Sequence, residues 1–159
     1  MHMSQKHFGT TGRCGGSLVS NAYVVTAAHC IDGADLTQNR SQAIYGCNDI
    51  TSPACIRTGL DNWKWTASNY VNEDNPFRLD NDIAMVRLAT FFQSHYDFPP
   101  NVGTICLPDW RFQLPWPYMP LERAITVLGW GGTDIALTLS NRLKEVCPPC
   151  CNVKRKHMP

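Results

Sequence analysis

The apolar runs in this chain are short, and each has the length of a strand rather than of a helix. Four runs rich in apolar and β-branched residues stand out, at 18–19, 23–26, 83–88 and 124–128. Runs of this kind are typical of β-strands, and Ser20-Asn21 between the first two predicts a β-hairpin. No window of the 159 residues has the spacing of a long amphipathic helix. The chain is therefore predicted to be all-β.

Two stretches lack strand signals. From Asp32 to Asn81 the chain carries scattered Asn, Asp, Gly and Ser, and we expect it to be largely loop. Residues 108–120 hold four prolines interleaved with aromatic residues. Because each proline removes a backbone donor, this second stretch is expected to be an irregular strap that joins two β units.

Composition narrows the classes of function. Hydrophobic residues make up 43% and charged residues 17%, which favours a folded domain. A net charge of +1 gives no electrostatic basis for nucleic-acid binding. No apolar run is long enough to cross a bilayer, and residues 1–11 contain no apolar signal-peptide core. Eight cysteines nevertheless favour an oxidising, extracellular environment.

One histidine stands out in the segment VVTAAHC, residues 24–30, where no other side chain carries a charge. His29 is either a tolerated core histidine or a general base, which requires a partner on its second ring nitrogen. A disulfide between Cys14 and Cys30 would close the predicted hairpin and hold this ring, with a stabilisation of about 3 kcal/mol. The candidate partner is Asp82, directly before the apolar run 83–86, because a carboxylate there is costly to bury without a hydrogen bond. Asp80 is the rival carboxylate.

Four segments follow one another over residues 14–146: CGGSLVSNAYVVTAAHC, DNDIAMVRL, ICLPD and LGWGGTD. Together they resemble the landmarks of the chymotrypsin/trypsin family of serine proteases. The resemblance implies a double β-barrel and peptide-bond cleavage by acyl transfer without a cofactor. It also implies that His29 is the general base and that Asp82 orients it.

The likeness is greatest to arthropod clip-domain proteases, which adds expectations for three further cysteines. It implies disulfides Cys14–Cys30 and Cys47–Cys55, and it matches Cys106 to the cysteine that ties such a domain to its pro-segment. Cys106 is expected to be interdomain or unpaired in this chain. Asn39 begins an Asn-Arg-Ser glycosylation sequon, consistent with secretion.

The chain also departs from the family pattern. It contains neither the Gly-Asp-Ser-Gly-Gly segment that carries the nucleophile nor the Ile-Val-Gly-Gly start of activated members. Ser17 follows two glycines, but in the family it lies on a strand before the histidine. We therefore expect a nearly complete first barrel, a truncated second barrel with exposed strand edges, and no hydrolysis by this chain alone. The alternative function is that of a non-catalytic homologue that binds partners in an extracellular protease cascade.

The tail has metal-like spacing, with Cys147, Cys150, Cys151 and a later His157. Adjacent cysteines beside two prolines fit one zinc ion poorly, so no metal site is assigned. The expected organisation is as follows: a non-matching leader (1–13), a first barrel (14–107), the strap (108–120), opening strands of a second barrel (121–146) and a non-matching Cys-rich basic tail (147–159).

Overall fold

The structure is a computed structural model that describes residues 2–7, 10–32, 36, 41–71, 80–90, 92–93, 97–107, 126–132 and 138–146. The chain divides into two compact units, Met1–Leu107 and Pro108–Pro159. The described residues form strands and one short 3-10 helix, Ala28–Cys30, with no α-helix. They include no helix with the length and hydropathy to span a membrane. The all-β prediction is confirmed.

Seven strands of the first unit form one antiparallel sheet. They are β1 (His2–His7), β2 (Thr10–Gly15), β3 (Ser17–Leu18), β4 (Tyr23–Thr26), β5 (Ser41–Tyr45), β6 (Ile56–Thr66) and β7 (Ala84–Leu88). Their order across the sheet is β2-β1-β5-β6-β7-β4-β3. The two edge strands, β2 and β3, are separated in the chain by Gly16 alone. The end of β2 therefore lies next to the start of β3, as expected for a sheet that curves toward a barrel, and this curved sheet is called the first barrel below.

Strand β6 joins the two halves of this barrel. Its first residues, Ile56–Gly59, pair with β5, whereas Leu60 and the stretch Lys64–Thr66 pair with β7. The register shifts between Leu60 and Lys64. Such an irregularity bends a strand and increases its twist, which lets an 11-residue strand serve both halves.

The core comes from strands whose side chains alternate between the two faces of the sheet. Val24 in β4 and Val86 in β7 are fully buried, and they are directly paired. Their outward neighbours Tyr23 and Arg87 are only partly buried. Ile31, just after the 3-10 helix, is also fully buried. This packing fixes the register of β4 against β7, because a slip of one residue would turn the apolar set outward.

The N-terminal residues and the 32–81 stretch differ from the sequence-based expectations. Residues 1–13 were set apart as a leader, yet β1 lies inside the sheet, paired with both β2 and β5. The expectation that 32–81 is largely loop was wrong, because β5 and β6 lie there. Both cases have one physical cause. Backbone pairing with neighbours far along the chain stabilises strands whose own composition is polar or irregular.

The second unit contains two described strands, β8 (Val127–Gly129) and β9 (Lys144–Val146), paired antiparallel. An isolated bridge joins Gly132 to Leu139. The predicted strand 124–128 overlaps β8, and its first two residues lie outside the described residues, as do the strap at 108–120 and the tail at 147–159.

Candidate active site

The 3-10 helix directs His29 outward. Strand β4 ends at Thr26, whose hydroxyl donates a hydrogen bond to the Gly15 carbonyl at 2.9 Å. The helix follows immediately and buries Ala28 and Cys30, which anchor its two ends in the core. The side chain between them, His29, is half exposed, with 50% of its surface accessible. The buried neighbours thus hold the backbone of His29 in place, while its ring remains accessible to a group outside the core.

Strand pairing brings Asp82 to this histidine. Strands β4 and β7 are antiparallel, with Thr26 opposite Ala84. Extending that register by two residues places position 28 opposite position 82, so Asp82 meets the start of the 3-10 helix. The two side chains are 53 residues apart in sequence. Their proximity is therefore a consequence of the buried apolar register.

Two hydrogen bonds join the pair. The His29 backbone N–H donates to Asp82 Oδ1 at 2.9 Å, and the ring nitrogen Nδ1 lies 2.7 Å from Oδ2. Burial raises the pKa of the Asp82 carboxyl, but the hydrogen bonds from the His29 backbone and ring, followed by the charge of that ring, hold it below its usual value. Asp82 is therefore ionised at neutral pH. It fixes both the orientation of the ring and the backbone that carries it.

The hydrogen bond to Asp82 also determines the tautomer. An ionised carboxylate only accepts hydrogen bonds, so Nδ1 carries the proton and Nε2 keeps a lone pair. The Cys30 sulfur lies 3.5 Å from Nε2. This sulfur belongs to a disulfide and has no proton to donate. The lone pair on Nε2 is therefore available to accept a proton, as a general base requires.

The turn before β7 separates the two candidate carboxylates. Asn81 has φ of 57°, in the left-handed region that asparagine tolerates better than most residues. Its side-chain amide donates to the Asn69 carbonyl at 3.0 Å. This turn leaves Asp80 exposed and directs Asp82 toward the ring. Asn81 is not among the residues expected above to matter for the site, although an asparagine between two aspartates is a turn signal.

Both disulfides implied by the resemblance are present. Cys14 and Cys30 are bonded, with Cα atoms 6.3 Å apart, and Cys47 is bonded to Cys55 with a Cα separation of 5.2 Å. Cys106 is exposed and forms no disulfide among the described residues.

The Cys14 and Cys30 sulfurs and a His29 nitrogen lie within 4.8 Å of one another. Sulfurs in a disulfide offer no thiolate to a metal. Asn39 and the cysteines of the tail lie outside the described residues.

Comparison with known proteins identifies the family. The family model described as Trypsin matches residues 2–153. This chain belongs to the trypsin family. The match begins in β1, so it includes most of the stretch 1–13 that was expected to be a non-matching leader. It also extends into the tail, beyond the expected boundary at 146.

The relatives within this family include arthropod proteases. Brachyurin of Leptuca pugilator is 30% identical over 138 residues, which cover 86% of this chain and 53% of brachyurin. CLIP domain-containing serine protease B8 of Anopheles gambiae is 26% identical over 141 residues, covering 79% of this chain and 33% of that protein. The solved structure of GrC matches 92% of this chain and 57% of its own at a TM-score of 0.67 and 23% identity. The chain thus spans about half the length of these relatives, or less. The predicted resemblance to trypsin-like serine proteases of arthropod type is confirmed.

Proposed function

We propose that this chain supplies the general base and the orienting carboxylate of a trypsin-like serine endopeptidase. The observation that carries the proposal is the 2.7 Å contact between His29 Nδ1 and Asp82 Oδ2. This contact supports an assignment in which the ring proton lies on Nδ1 and the unprotonated Nε2 is directed away from the carboxylate. In this role His29 acts on the substrate chemistry directly, and Asp82 acts through His29.

The proposed reaction is acyl transfer. His29 Nε2 accepts the proton of a serine hydroxyl while the serine oxygen attacks the peptide carbonyl carbon. The resulting imidazolium is stabilised by Asp82 and returns its proton to the leaving amine, which leaves an acyl-enzyme. Water then hydrolyses the ester by the same proton transfers. Protein or peptide chains are the proposed substrates.

We further propose that the 159 residues by themselves do not hydrolyse peptides. They contain no Gly-Asp-Ser-Gly-Gly segment, and none of their serines follows the family pattern for a nucleophile. A base and its orienting carboxylate cannot form an acyl-enzyme without a hydroxyl in line with the carbonyl.

A second function is that of a non-catalytic homologue that binds partners in an extracellular protease cascade. The residue that the gene encodes at the family's nucleophile position separates the two functions, with serine favouring the enzyme and glycine favouring the homologue. The retention of both His29 and Asp82 favours descent from an active enzyme.

The two disulfides support an extracellular location for either function. The exposed Cys106 is suited to a disulfide with a pro-segment.

The test has two stages. The 159-residue chain, produced under oxidising conditions, is assayed with peptides that carry arginine, an aromatic or an aliphatic residue before the scissile bond, and with a serine-directed fluorophosphonate. We expect neither turnover nor labelling, and turnover with stoichiometric labelling of a serine would show that the nucleophile was misassigned. The transcript is then sequenced. If it encodes a serine at the family position, His29→Ala in that product is expected to reduce kcat roughly a millionfold, and full activity in that variant would overturn the proposal.

A further inference from the structure

Two sulfur atoms lie beside the ring of His29. Cys30 Sγ is 3.5 Å from the ring nitrogen Nε2, and Cys14, His29 and Cys30 each offer a ligand atom within 4.8 Å of the other two. Among the residues that the structure describes, no other group of three histidine, cysteine or acidic side chains is gathered in this way. The two sulfurs are bonded to each other in this structure. The group can therefore hold a metal ion only after that bond has been reduced.

The spacing of these atoms fits zinc. Zn²⁺ binds cysteine sulfur at about 2.3 Å and histidine nitrogen at about 2.0–2.1 Å in a tetrahedral arrangement, which puts a sulfur and a nitrogen ligand about 3.5–3.6 Å apart. Cys30 Sγ and His29 Nε2 already have this separation, at 3.5 Å. Both residues belong to the 3-10 helix Ala28–Cys30, whose two ends are buried. Thiolate and imidazole ligands also favour zinc over magnesium or calcium.

Cys14 is the ligand that has to move. Two sulfurs bound to one zinc ion are about 3.8 Å apart and are not bonded to each other, so Cys14 Sγ must separate from Cys30 Sγ. Rotation about the Cα–Cβ bond of Cys14 carries its sulfur away while the backbone stays in place. The Cα atoms of the two cysteines are 6.3 Å apart, and a Cβ built at the neighbouring Gly15 would have nothing within 4 Å. The chain is therefore uncrowded beside Cys14.

Asp82 already prepares His29 for this role. A histidine that binds zinc usually donates its other ring N–H to a carboxylate, which fixes the tautomer and the orientation of the ring. Asp82 Oδ2 is 2.7 Å from Nδ1, so Nδ1 carries the proton and Nε2 has the lone pair that binds a metal. The ring is half exposed, which leaves one side of the metal open to water. Two thiolates, one imidazole and one water are a ligand set that zinc adopts in proteins.

We propose that reduction of the Cys14–Cys30 disulfide creates a zinc site, in which Cys14 Sγ, Cys30 Sγ and His29 Nε2 are the protein ligands and water is the fourth ligand. The site combines the histidine of the proposed active site with two sulfurs that the proposed reaction does not use. Zinc bound to Nε2 takes the lone pair that a general base needs. The reduced, zinc-bound chain is therefore without its base. This consequence rests on the function proposed above, whereas zinc binding itself does not.

The reduction balances with a dithiol as the reductant. One thiolate of the dithiol attacks Cys14 Sγ, because Cys14 is partly exposed whereas Cys30 is 8% exposed, and Cys30 leaves as a thiolate. The second thiolate of the dithiol then attacks the dithiol's other sulfur in the mixed disulfide and displaces Cys14. The dithiol becomes a disulfide, and its two electrons and two protons pass to the two cysteines. Zinc then replaces those two protons, which are released to solvent.

The test uses the full 159-residue chain with every cysteine other than Cys14 and Cys30 replaced by serine. This chain is reduced with a dithiol, freed of the dithiol without air, and titrated with zinc alone. Cobalt(II) in place of zinc reports thiolate ligands by its charge-transfer absorption. We expect one zinc ion per reduced chain, and none per oxidised chain at the same concentration. Failure of the reduced chain to bind one zinc ion, or equal binding by the oxidised chain, would overturn the proposal.

Asp82→Asn distinguishes a folded site from an unfolded chain that chelates zinc. His29 and Cys30 are adjacent in sequence and could bind zinc together without a fold, whereas Asp82 is 53 residues from His29 and meets it only in the barrel. Loss of a carboxylate partner of a metal-binding histidine weakens metal binding about 10–100-fold, and we expect a loss in that range. Asp80→Asn is the matched control and should bind zinc as tightly as the parent. Equal affinities in the two variants would contradict the proposal.

Stability provides a second measurement if the reduced chain folds poorly. A ligand that binds only the folded chain stabilises it increasingly as the ligand concentration exceeds Kd. Zinc should therefore raise the urea midpoint of the reduced chain, leave that of the oxidised chain unchanged, and have a much smaller effect on reduced His29→Ala. A reduced chain that gains no stability from saturating zinc, or stays unfolded in it, would overturn the proposal. None of these readouts needs turnover, so a negative result here is distinct from the failure of His29→Ala to abolish activity in a serine-bearing product.

Discussion

The carboxylate of Asp82 binds one residue, His29, at two points: the backbone N–H at 2.9 Å and the ring nitrogen Nδ1 at 2.7 Å. One side chain thereby fixes both the main chain and the imidazole. The register of β4 against β7 brings this carboxylate next to His29, since Thr26 lies opposite Ala84. The geometry of the site thus depends on the packing of the barrel.

Replacing Asp82 with asparagine should change the tautomer of His29. An amide can donate to Nδ1 as well as accept, and accepting from the backbone N–H leaves its NH₂ group facing the ring. The ring proton should then move to Nε2, which removes the lone pair of the proposed base. Nitrogen-15 NMR of His29 at pH 8 reports the tautomer directly. Asp80→Asn, two residues away on an exposed side chain, should leave it unchanged, and the same tautomer in both variants would contradict this account.

Asp82 should also make the stability of the chain depend on acid pH. Its pKa in the folded chain is below its usual value, so its contribution to stability is complete above the unfolded pKa of about 3.9. That contribution is lost as the pH falls from about 4 through the folded pKa. The urea midpoint should therefore drop more steeply below pH 4 in the parent chain than in Asp82→Asn. Parallel pH profiles for the two proteins would exclude a role for this carboxylate in acid stability.

Removal of the Cys14–Cys30 disulfide should cost more stability than removal of Cys47–Cys55. The first encloses a sequence separation of 16 and the second a separation of 8. In the chain-entropy description, the first contributes about 3 kcal/mol and the shorter loop contributes less. Urea unfolding of the two double alanine variants measures the difference. Equal losses would indicate that local packing, and not loop closure, dominates.

A methyl group at Gly46 should destabilise the first unit. Gly46 has φ of +75°, and a Cβ built there would lie 3.3 Å from Val102 Cγ2 and 3.4 Å from Ile56 Cδ1. Gly46→Ala combines this crowding with a left-handed backbone, and we expect a loss of about 1–2 kcal/mol. Gly103→Ala is the matched control, because nothing lies within 4 Å of the Cβ position there. Thermal unfolding of both variants tests this, and equal midpoints would refute it.

Local pattern identified the elements whose apolar residues alternate. The hairpin predicted from 18–19 and 23–26 is present as β3 and β4, and the run at 83–88 contains β7. These strands bury every second side chain, so the alternation of apolar residues along the sequence is enough to predict them. The motifs around His29 and Asp82 can also be recognised from the sequence, because the chemistry of a base and its carboxylate needs particular residue types. Their catalytic roles remain proposals.

Contacts between distant segments decided the rest. Strands β1, β5 and β6 have no regular alternation, and their formation depends on hydrogen bonds to neighbours that the sequence does not specify locally. The choice of Asp82 over Asp80 required the left-handed turn at Asn81 together with the β4–β7 register. The backbone hydrogen bonds that hold residues 67–71 against the turn at residues 80–83 also join segments that the sequence does not pair locally. Sequence determined which groups are available for chemistry, whereas long-range pairing and burial determined which of them meet, because proximity in a barrel is set by register and not by separation along the chain.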